Sequence, residues 1–344
     1  MEVAKRILLT LGLLVSIVVG GLWHWSSNAL NQPLNIPESR TVVEANAGDG
    51  LIKVLRRLER LGLIQSARAT RLALRIQGHT VNLKLGEYEL QQGDTLLDII
   101  DRFDRGDVVL YPVTIPEGVT FDWMLAHLES LDFISHTITG PDDTKFEPFR
   151  SSAGHLEGQF LPETYFVARG QSDISVLDRS FAAMQETLSG IWAGCDAKTP
   201  LKSPYEALIL ASIVERETGV ASERPQIAGV FTRRLIKGMK LQTDPTIIYG
   251  LGDDYDGNLR RKHLNDKENP YNTYQIKGLP PTPIAMPGRE AIAAVCNPTT
   301  DDSLYFVAKG DGSHAFSATL SEHNQNVRRY QLNRRSDYRS SPAP

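Results

Sequence analysis

Cysteine is almost missing from this chain. Only Cys195 and Cys296 occur among 344 residues, too few for the disulfide framework of a small secreted domain, and neither falls in a CxxC or Cys/His spacing that would hold zinc. The two can form one disulfide or stay as core thiols, and their positions do not choose. An excess of positive charge is lacking too. With 37 Lys and Arg against 41 Asp and Glu, the formal net charge is −4, the wrong sign for a chain that grips nucleic acid through its phosphates. His314 and His323 are not at HxxxH spacing and have no carboxylate set beside them, so no metal is expected. Ser212 lacks the G-x-S-x-G elbow of a nucleophilic serine. No cofactor is implied. Hydrophobic residues at 41% and charged residues at 23% suit an ordinary folded body, long enough for two or three domains.

One apolar run does stand out. After MEVAKR, the segment ILLTLGLLVSIVVGGLWHW at 7–25 carries no formal charge and matches the roughly 20 apolar residues that a bilayer crossing needs. Lys5 and Arg6 precede it, so the positive-inside rule keeps residues 1–6 in the cytoplasm, and Trp23 and Trp25 fall at an interfacial aromatic belt. The expectation is a single-pass anchor in the inner (plasma) membrane, with everything after it periplasmic or otherwise extracytoplasmic. The alternative is a cleaved signal peptide with Ser27-Asn28-Ala29 as its cleavage site, although the run exceeds the usual h-region of about 7–15 residues. Both readings export the remainder. Residues 26–40, polar and proline-containing, read as a juxtamembrane linker.

Between 41 and 136 a pattern recurs three times: a β-rich stretch, a glycine turn, an amphipathic helix. TVVEANAGDGLIKVLRRLERLGLI, YELQQGDTLLDIIDRF and VTIPEGVTFDWMLAHLESL turn at Gly48, Gly93 and Gly118, where positive φ is cheap. Asp94 or Thr95, and Thr120, are placed to cap the helices that follow. In the second unit Leu96, Leu97, Ile99, Ile100 and Phe103 form the apolar face. YELQQGDTLLDII resembles the opening of a LysM module, which implies a glycan-facing domain; a plain strand-turn-helix that binds nothing has the same pattern. Residues 137–155, rich in Gly, Pro, Ser and Thr, read as a connection. The main domain is expected over 156–335, with a flexible tail at 336–344.

Within that domain, SPYEALILASIVERETG predicts a helix from about Tyr205 to Thr218, bracketed by Pro204 and Gly219. Ala207 through Val214 are apolar apart from Ser212, so the helix is buried on most sides. Glu215 and Glu217 close it. Two residues apart on a helix means about 200° around the axis, so they cannot enter the same groove. Periodicity does not say which faces inward, and both can simply pair with Arg216, Arg224 or Arg233.

Context decides between them. ASIVERETGVASERPQIAGVFTRRLIKGMKLQTDPTIIYGLG, then YNTYQIKGLPPTPIAMPG, then LYFVAKGDGSHAFSATLSEHN resemble, in that order, the YceG-like family of endolytic murein transglycosylases. The resemblance spans nearly the whole chain and is densest from 205 to 325. It implies an α+β fold: a transmembrane helix, one or more small LysM-like modules, and a mixed α+β catalytic domain. It also implies cleavage of the MurNAc-β-1,4-GlcNAc bond within peptidoglycan strands without water, leaving 1,6-anhydroMurNAc ends. The second glutamate of the E-x-E-T block is the family's catalytic acid, which falls on Glu217 and leaves Glu215 in a supporting role. Partners implied are the glycan strand and, at sites of wall synthesis, the peptidoglycan synthases.

The chemistry fits that placement. A free glutamate of pKa about 4.3 costs roughly 3.7 kcal/mol to protonate at pH 7, and burial lowers that cost. Gln242, Thr243 and Asp244 in LQTDPT, Asn272 and Tyr274 in YNTY, and the stiff GLPPTP segment at 278–283 supply the amide, hydroxyl and aromatic groups of a sugar groove. Alternatively, Tyr271 and Tyr274 are core residues, and Pro280, Pro281, Pro283 and Pro287 simply stiffen loops. Asp244 can cap a helix or offset positive charge at C1, Glu163 in LPETYF is a further cleft acid, and His314 is a hydrogen-bonding group near the groove. Two other classes compete: a non-catalytic membrane-anchored glycan-binding scaffold, and a hydrolytic muramidase.

Overall fold

In the computed structural model, residues 2–37, 41–46, 48–150 and 154–332 are described; the tail expected at 336–344 lies outside them. They form two compact units. The first comprises Met1–Pro112, Asp132–Ser135 and Phe166–Ser172, the second Val113–Leu131, His136–Tyr165 and Asp173–Pro344.

The first unit opens with α1 (Glu2–Asn31), the one helix among the described residues long and apolar enough to cross a membrane. Its side chains from Val3 to Trp23 are exposed, Leu9 by 73% and Ile17 by 61%, with no cover among the described residues. Only its last turns dock, burying Ser26 and Leu30. Residues 26–31, expected in a polar linker, therefore continue the helix. They pack on α3, where Gln77 Nε2 donates to the Trp23 carbonyl (3.2 Å) and to Ser26 Oγ (2.8 Å).

β1 (Thr41–Ala45) pairs antiparallel with β2 (Gly86–Leu90), Val43 opposite Tyr88. Between them lie α2 (Leu51–Arg60) and α3 (Ala67–Ile76), and after them α4 (Leu96–Arg105). The expected apolar face holds: Leu96, Ile99, Ile100 and Phe103 are buried, and Phe103 meets Tyr88 edge-on at 4.6 Å. Thr95, not Asp94, caps α4, in a capping box with Asp98; Asp94 instead accepts from the Gln91 amide at 2.7 Å and pairs with Arg102. α3 has no place in the threefold pattern. It buries small residues, Ala67, Thr70 and Ala73, with only Leu74 beside them, so it shows no apolar stripe.

The third strand-turn-helix, β3 (Leu110–Thr114) and α5 (Phe121–Glu129), is divided between the units rather than belonging whole to the first. From Val113 on, its partners are in the second unit. Gly118 N donates to the Met286 carbonyl (2.9 Å), Met286 N returns a bond to Val119 O (2.8 Å), and Phe121 stacks on Phe160 at 5.4 Å. β3 pairs with β4 (Thr164–Ala168).

The second unit then runs through α6 (Asp173–Ala193), α7 (Pro204–Glu217), α8 (Arg224–Ile236), α9 (Asp244–Leu251), the single turn α10 (Arg261–Leu264) and α11 (Arg289–Cys296). It continues in the antiparallel hairpin β5 (Tyr305–Ala308) and β6 (His314–Ser317), and α12 (Leu320–Val327), which runs into a wider turn at Arg328–Leu332. α7 is the core helix of the unit. Ser203 caps it, accepting from Glu206 N at 3.2 Å, with Pro204 at the first helical position. Every residue from Ala207 to Val214 is buried, at about 1.5–3 kcal/mol for each large aliphatic side chain. Cys195, past the end of α6, is disulfide-bonded to Cys296 at the end of α11, which settles the pairing that the spacing left open.

Candidate active site

α7 stops at Glu217 because Thr218 is extended (φ −143°, ψ 135°), and the helix end splays its three charged residues in different directions. Glu215 is fully engaged. Its Oε1 accepts from Arg224 Nη2 at 2.9 Å and its Oε2 from the Gly288 amide at 2.9 Å, with the side chain 4% exposed. Arg224 also binds Glu117 at 2.9 Å and pairs with Glu290. A Cβ at 288 would meet Glu117 Oε1 at 1.8 Å, so glycine there leaves the Glu117 carboxylate room to reach Arg224. Burial, and then the Glu215 charge, push the Glu117 carboxyl above its ordinary value. Arg216 donates to the Gly118 carbonyl at 2.9 Å. Glu215 and Arg216 thus clamp the end of α7 to the start of the α5 segment and the start of α11.

Glu217 points elsewhere. It is half-buried on the wall of a cleft of about 690 Å³. Dense protein on its other sides disfavours its charge, and burial pushes its carboxyl up to about 7; the Thr243 bond and the Arg234 charge oppose that rise and the Asp244 charge adds to it. Thr243 Oγ1 donates to Glu217 Oε1. Thr243 is itself fixed by a buried threonine cluster: its amide donates to Thr273 Oγ1 (3.0 Å), its carbonyl accepts from Thr246 Oγ1 (2.8 Å), and Thr246 and Thr273 share a bond of 2.9 Å. These bonds hold the Thr243 backbone in place, and its hydroxyl is thereby presented to the carboxyl.

The loop before α9 holds the rest of that wall. Gln242 is the one non-glycine residue with positive φ (51°) among those described, strain of the kind that accumulates where a side chain must be aimed; it lines the cleft beside Asp244. Tyr274 donates from its hydroxyl to Asp244 Oδ1 at 2.8 Å. Burial, then the Asp244 charge, raise the Tyr274 phenol above its usual range, so it stays a donor. The facing wall comes from the hairpin and α12, with His314, Tyr305, His323 and Val327. The His314 backbone amide and ring Nδ1 both bond Glu223, at 2.9 and 2.8 Å.

Of the residues singled out in the sequence, Glu217, Gln242, Thr243, Asp244, Tyr274 and His314 meet at this cleft. Glu215 does not, for the reason given. Asn272 is wholly buried, and its amide donates to the carbonyls of His263, Leu264 and Asp266 (3.0, 3.3 and 2.6 Å), which folds the loop that presents Tyr274. Glu163 is exposed, 3.8 Å from Arg289, and is not on the cleft wall. Tyr271 bonds Thr282 (2.9 Å) and packs edge-on against Tyr249 at 4.9 Å, as core.

Two features were not legible in the sequence. Arg234 is 8% exposed, lines the cleft, donates to the Leu304 and Leu241 carbonyls at 2.7 Å, and lies over the Tyr305 ring at 5.1 Å; beside Arg233 at a helix end it reads as a solvated charge. Glu157 is a second buried acid, pushed up to about 7 by burial, accepting from the Phe121 amide and the Tyr249 hydroxyl at 3.1 Å each. Tyr249 lies on α9, so Glu157 braces the helix whose first turn carries Asp244.

Replacing Thr243 with Val, nearly isosteric, removes the hydroxyl that donates to Glu217 Oε1. The expected result is about a tenfold fall in kcat with KM little changed, and a shift of the Glu217 titration to higher pH, because the lost bond favoured the charged form. Rate measurements across pH check both; an unshifted titration removes Thr243 from the acid's environment.

One protonatable carboxyl, aimed by a hydroxyl and surrounded by a guanidinium, a second carboxyl and tyrosines, makes this an acid-base cleft for a polar substrate. Residues 43–329 match the model of the YceG-like family, and the chain belongs to that family. It is 30% identical over 335 residues to the endolytic murein transglycosylase of Bacillus subtilis, with 91% of each chain covered. The Streptococcus pneumoniae protein of the same name is 30% identical over 303 residues, 78% of this chain and 54% of that longer one. A crystal structure of a YceG-like protein from Listeria monocytogenes superposes with a TM-score of 0.54 at 28% identity, covering 84% of this chain and 99% of that one.

Proposed function

We propose that this chain is an endolytic peptidoglycan lytic transglycosylase in which Glu217 serves first as acid and then as base. The supporting observation is a single one: the cleft carboxyl is kept near neutrality by burial and turned by Thr243 into open space. Protonated Glu217 gives its proton to the glycosidic oxygen as the C1–O bond breaks, releasing the GlcNAc 4-hydroxyl. The muramyl 6-hydroxyl then forms the new bond to C1, and its proton passes to the Glu217 carboxylate, which is restored to its starting state. No water enters. A hydrolase needs a second group to activate water or attack C1; here the nucleophile is already on the sugar and has the advantage of proximity. Asp244, held by Tyr274, offsets positive charge developing at C1.

α1 holds the enzyme in the inner (plasma) membrane with residues 1–6 cytoplasmic and the second unit outside. The uncovered apolar surface from Val3 to Trp23 supports this, as does the Cys195–Cys296 disulfide, since such bonds persist in oxidising compartments. There it trims or ends nascent strands beside the synthases that make them.

Mass analysis of digested sacculi is the test. Anhydro ends are expected; reducing ends would make the enzyme a muramidase, and no new ends a scaffold. The reaction needs Glu217 protonated, so kcat/KM is expected to fall tenfold per pH unit above about 7. A flat profile to pH 9 would contradict the acid role.

A further inference from the structure

α2 and α3 carry a concentration of charge opposite to that of the chain. Residues 51–76 hold seven basic side chains, Lys53, Arg56, Arg57, Arg60, Arg68, Arg71 and Arg75, against one acid, Glu59; that is +6 in a protein whose net charge is −4. Arg57 is committed to Asp49 and to the Glu44 carbonyl, and Lys53 lies 3.5 Å from Asp49. Arg56, Arg60, Arg68, Arg71 and Arg75 are exposed and have no ion-pair partner among the described residues. On α3 the positions 68, 71, 72 and 75 follow helical spacing and share one face. That face includes Leu72, a leucine 51% exposed. Basic side chains interleaved with an exposed leucine are the composition of a helix that lies on a bilayer surface.

The position of α3 says which surface. Gln77, just past its end, bonds the Trp23 carbonyl and Ser26 Oγ, which fixes the carboxyl end of α3 at the level where α1 passes from its exposed apolar length into its docked turns. Arg75 is two residues from that level. A helix lying along the bilayer at that level brings every residue of one face to the headgroups, so Arg68, Arg71 and Leu72 reach them together with Arg75.

The geometry points to a docking surface for anionic phospholipid headgroups on α3, extended by α2: Arg68, Arg71 and Arg75 engage the phosphates and Leu72 enters the interface. This rests on α1 being membrane-embedded. The surface would convert a one-helix tether into a two-point attachment and hold the first unit at a set tilt on the bilayer. Because both faces of a bacterial inner membrane carry anionic lipid, it does not depend on which side α1 delivers the unit to.

The experiment uses the full chain reconstituted in vesicles of phosphatidylcholine alone or with about 30% phosphatidylglycerol, an anionic fraction large enough to set a negative surface potential. Leu72→Cys is labelled with a polarity-sensitive fluorophore, the native cysteines being joined, and brominated lipids serve as quenchers. Expected are blue-shifted, quenched emission only with phosphatidylglycerol, reversal by about 0.5 M salt, and a roughly fivefold loss of the docked population per arginine removed in the Arg68→Gln, Arg71→Gln and Arg75→Gln series. Equal emission in both vesicles overturns the proposal, as does protection of the label by soluble peptidoglycan fragments instead of by lipid. Quenching of Trp23 and Trp25 reports α1 separately. If they are quenched and the label is not, the docking surface alone fails; if neither is, the anchor fails with it.

Discussion

Glu217→Gln is expected to reduce anhydro-end formation at least about 10³-fold, within the range that a positioned general acid contributes, while making the protein more stable at alkaline pH. Gln keeps the size of the side chain and an oxygen to accept from Thr243, so fold and cleft persist. The sign of the stability effect follows from the carboxyl's pKa, about 7 when folded against about 4.3 for a free glutamate. The folded state holds the proton more tightly, so the group favours folding fully below the lower value, and that contribution is lost as pH rises to about 7. The loss is at most roughly 3.7 kcal/mol, and less where cleft water screens the charge. Gln has no charge to bury. Thermal unfolding of both proteins at pH 4.5 and pH 8 should therefore give similar midpoints at the lower pH and a higher midpoint for the variant at the upper one. A variant that is inactive but equally stable at both would show that position 217 carries no buried proton; one that still cleaves would remove Glu217 from the reaction.

Arg224→Met is expected to destabilise the protein by about 3–5 kcal/mol, the usual result of deleting one partner of a buried ion pair. Glu215, 4% exposed, would keep only the Gly288 amide, and Glu117 would lose the charge that holds its carboxyl down. The Glu117 carboxyl then favours taking up a proton, so the loss should be larger at pH 8 than at pH 5, and Glu215→Gln added to Arg224→Met, which removes a buried charge left without its cation, should recover part of it. Denaturant midpoints at the two pH values measure this. Activity should fall as well, because the cluster fixes the turn of helix two residues before Glu217. A loss independent of pH would mean that packing of the arginine stem, rather than its charge, matters.

The two glutamates show how far the sequence could be read. The helix was legible to within a residue at each end, from Pro204, Gly219 and an apolar run, because helix punctuation and burial are local and periodic. Which glutamate faced the cleft was not, since it depends on where Arg224, Gly288 and Thr243 arrive from positions far along the chain; only the resemblance of the E-x-E-T block to a family chose Glu217. LQTDPT and YNTY were recognisable as polar, stiff segments. That Tyr274 reaches the cleft while Asn272, two residues earlier, folds the loop beneath it is a matter of tertiary hydrogen bonding. Arg234 and Glu157 are charged residues buried against the usual preference of their types, and no local pattern announces such an exception. α3 was missed for a related reason, its buried face being made of alanine and threonine.

The disulfide has a topological consequence. Glu217, Arg234, Thr243, Asp244 and Tyr274 all lie on the stretch between Cys195 and Cys296, 101 positions apart, that the disulfide closes on itself, so this wall of the cleft belongs to a ring rather than an open segment. That ring includes an exposed, protease-accessible run at Arg260, Arg261 and Lys262. A single tryptic nick there would leave both pieces migrating as one species until a reductant is added, and the nicked enzyme would keep its halves in register.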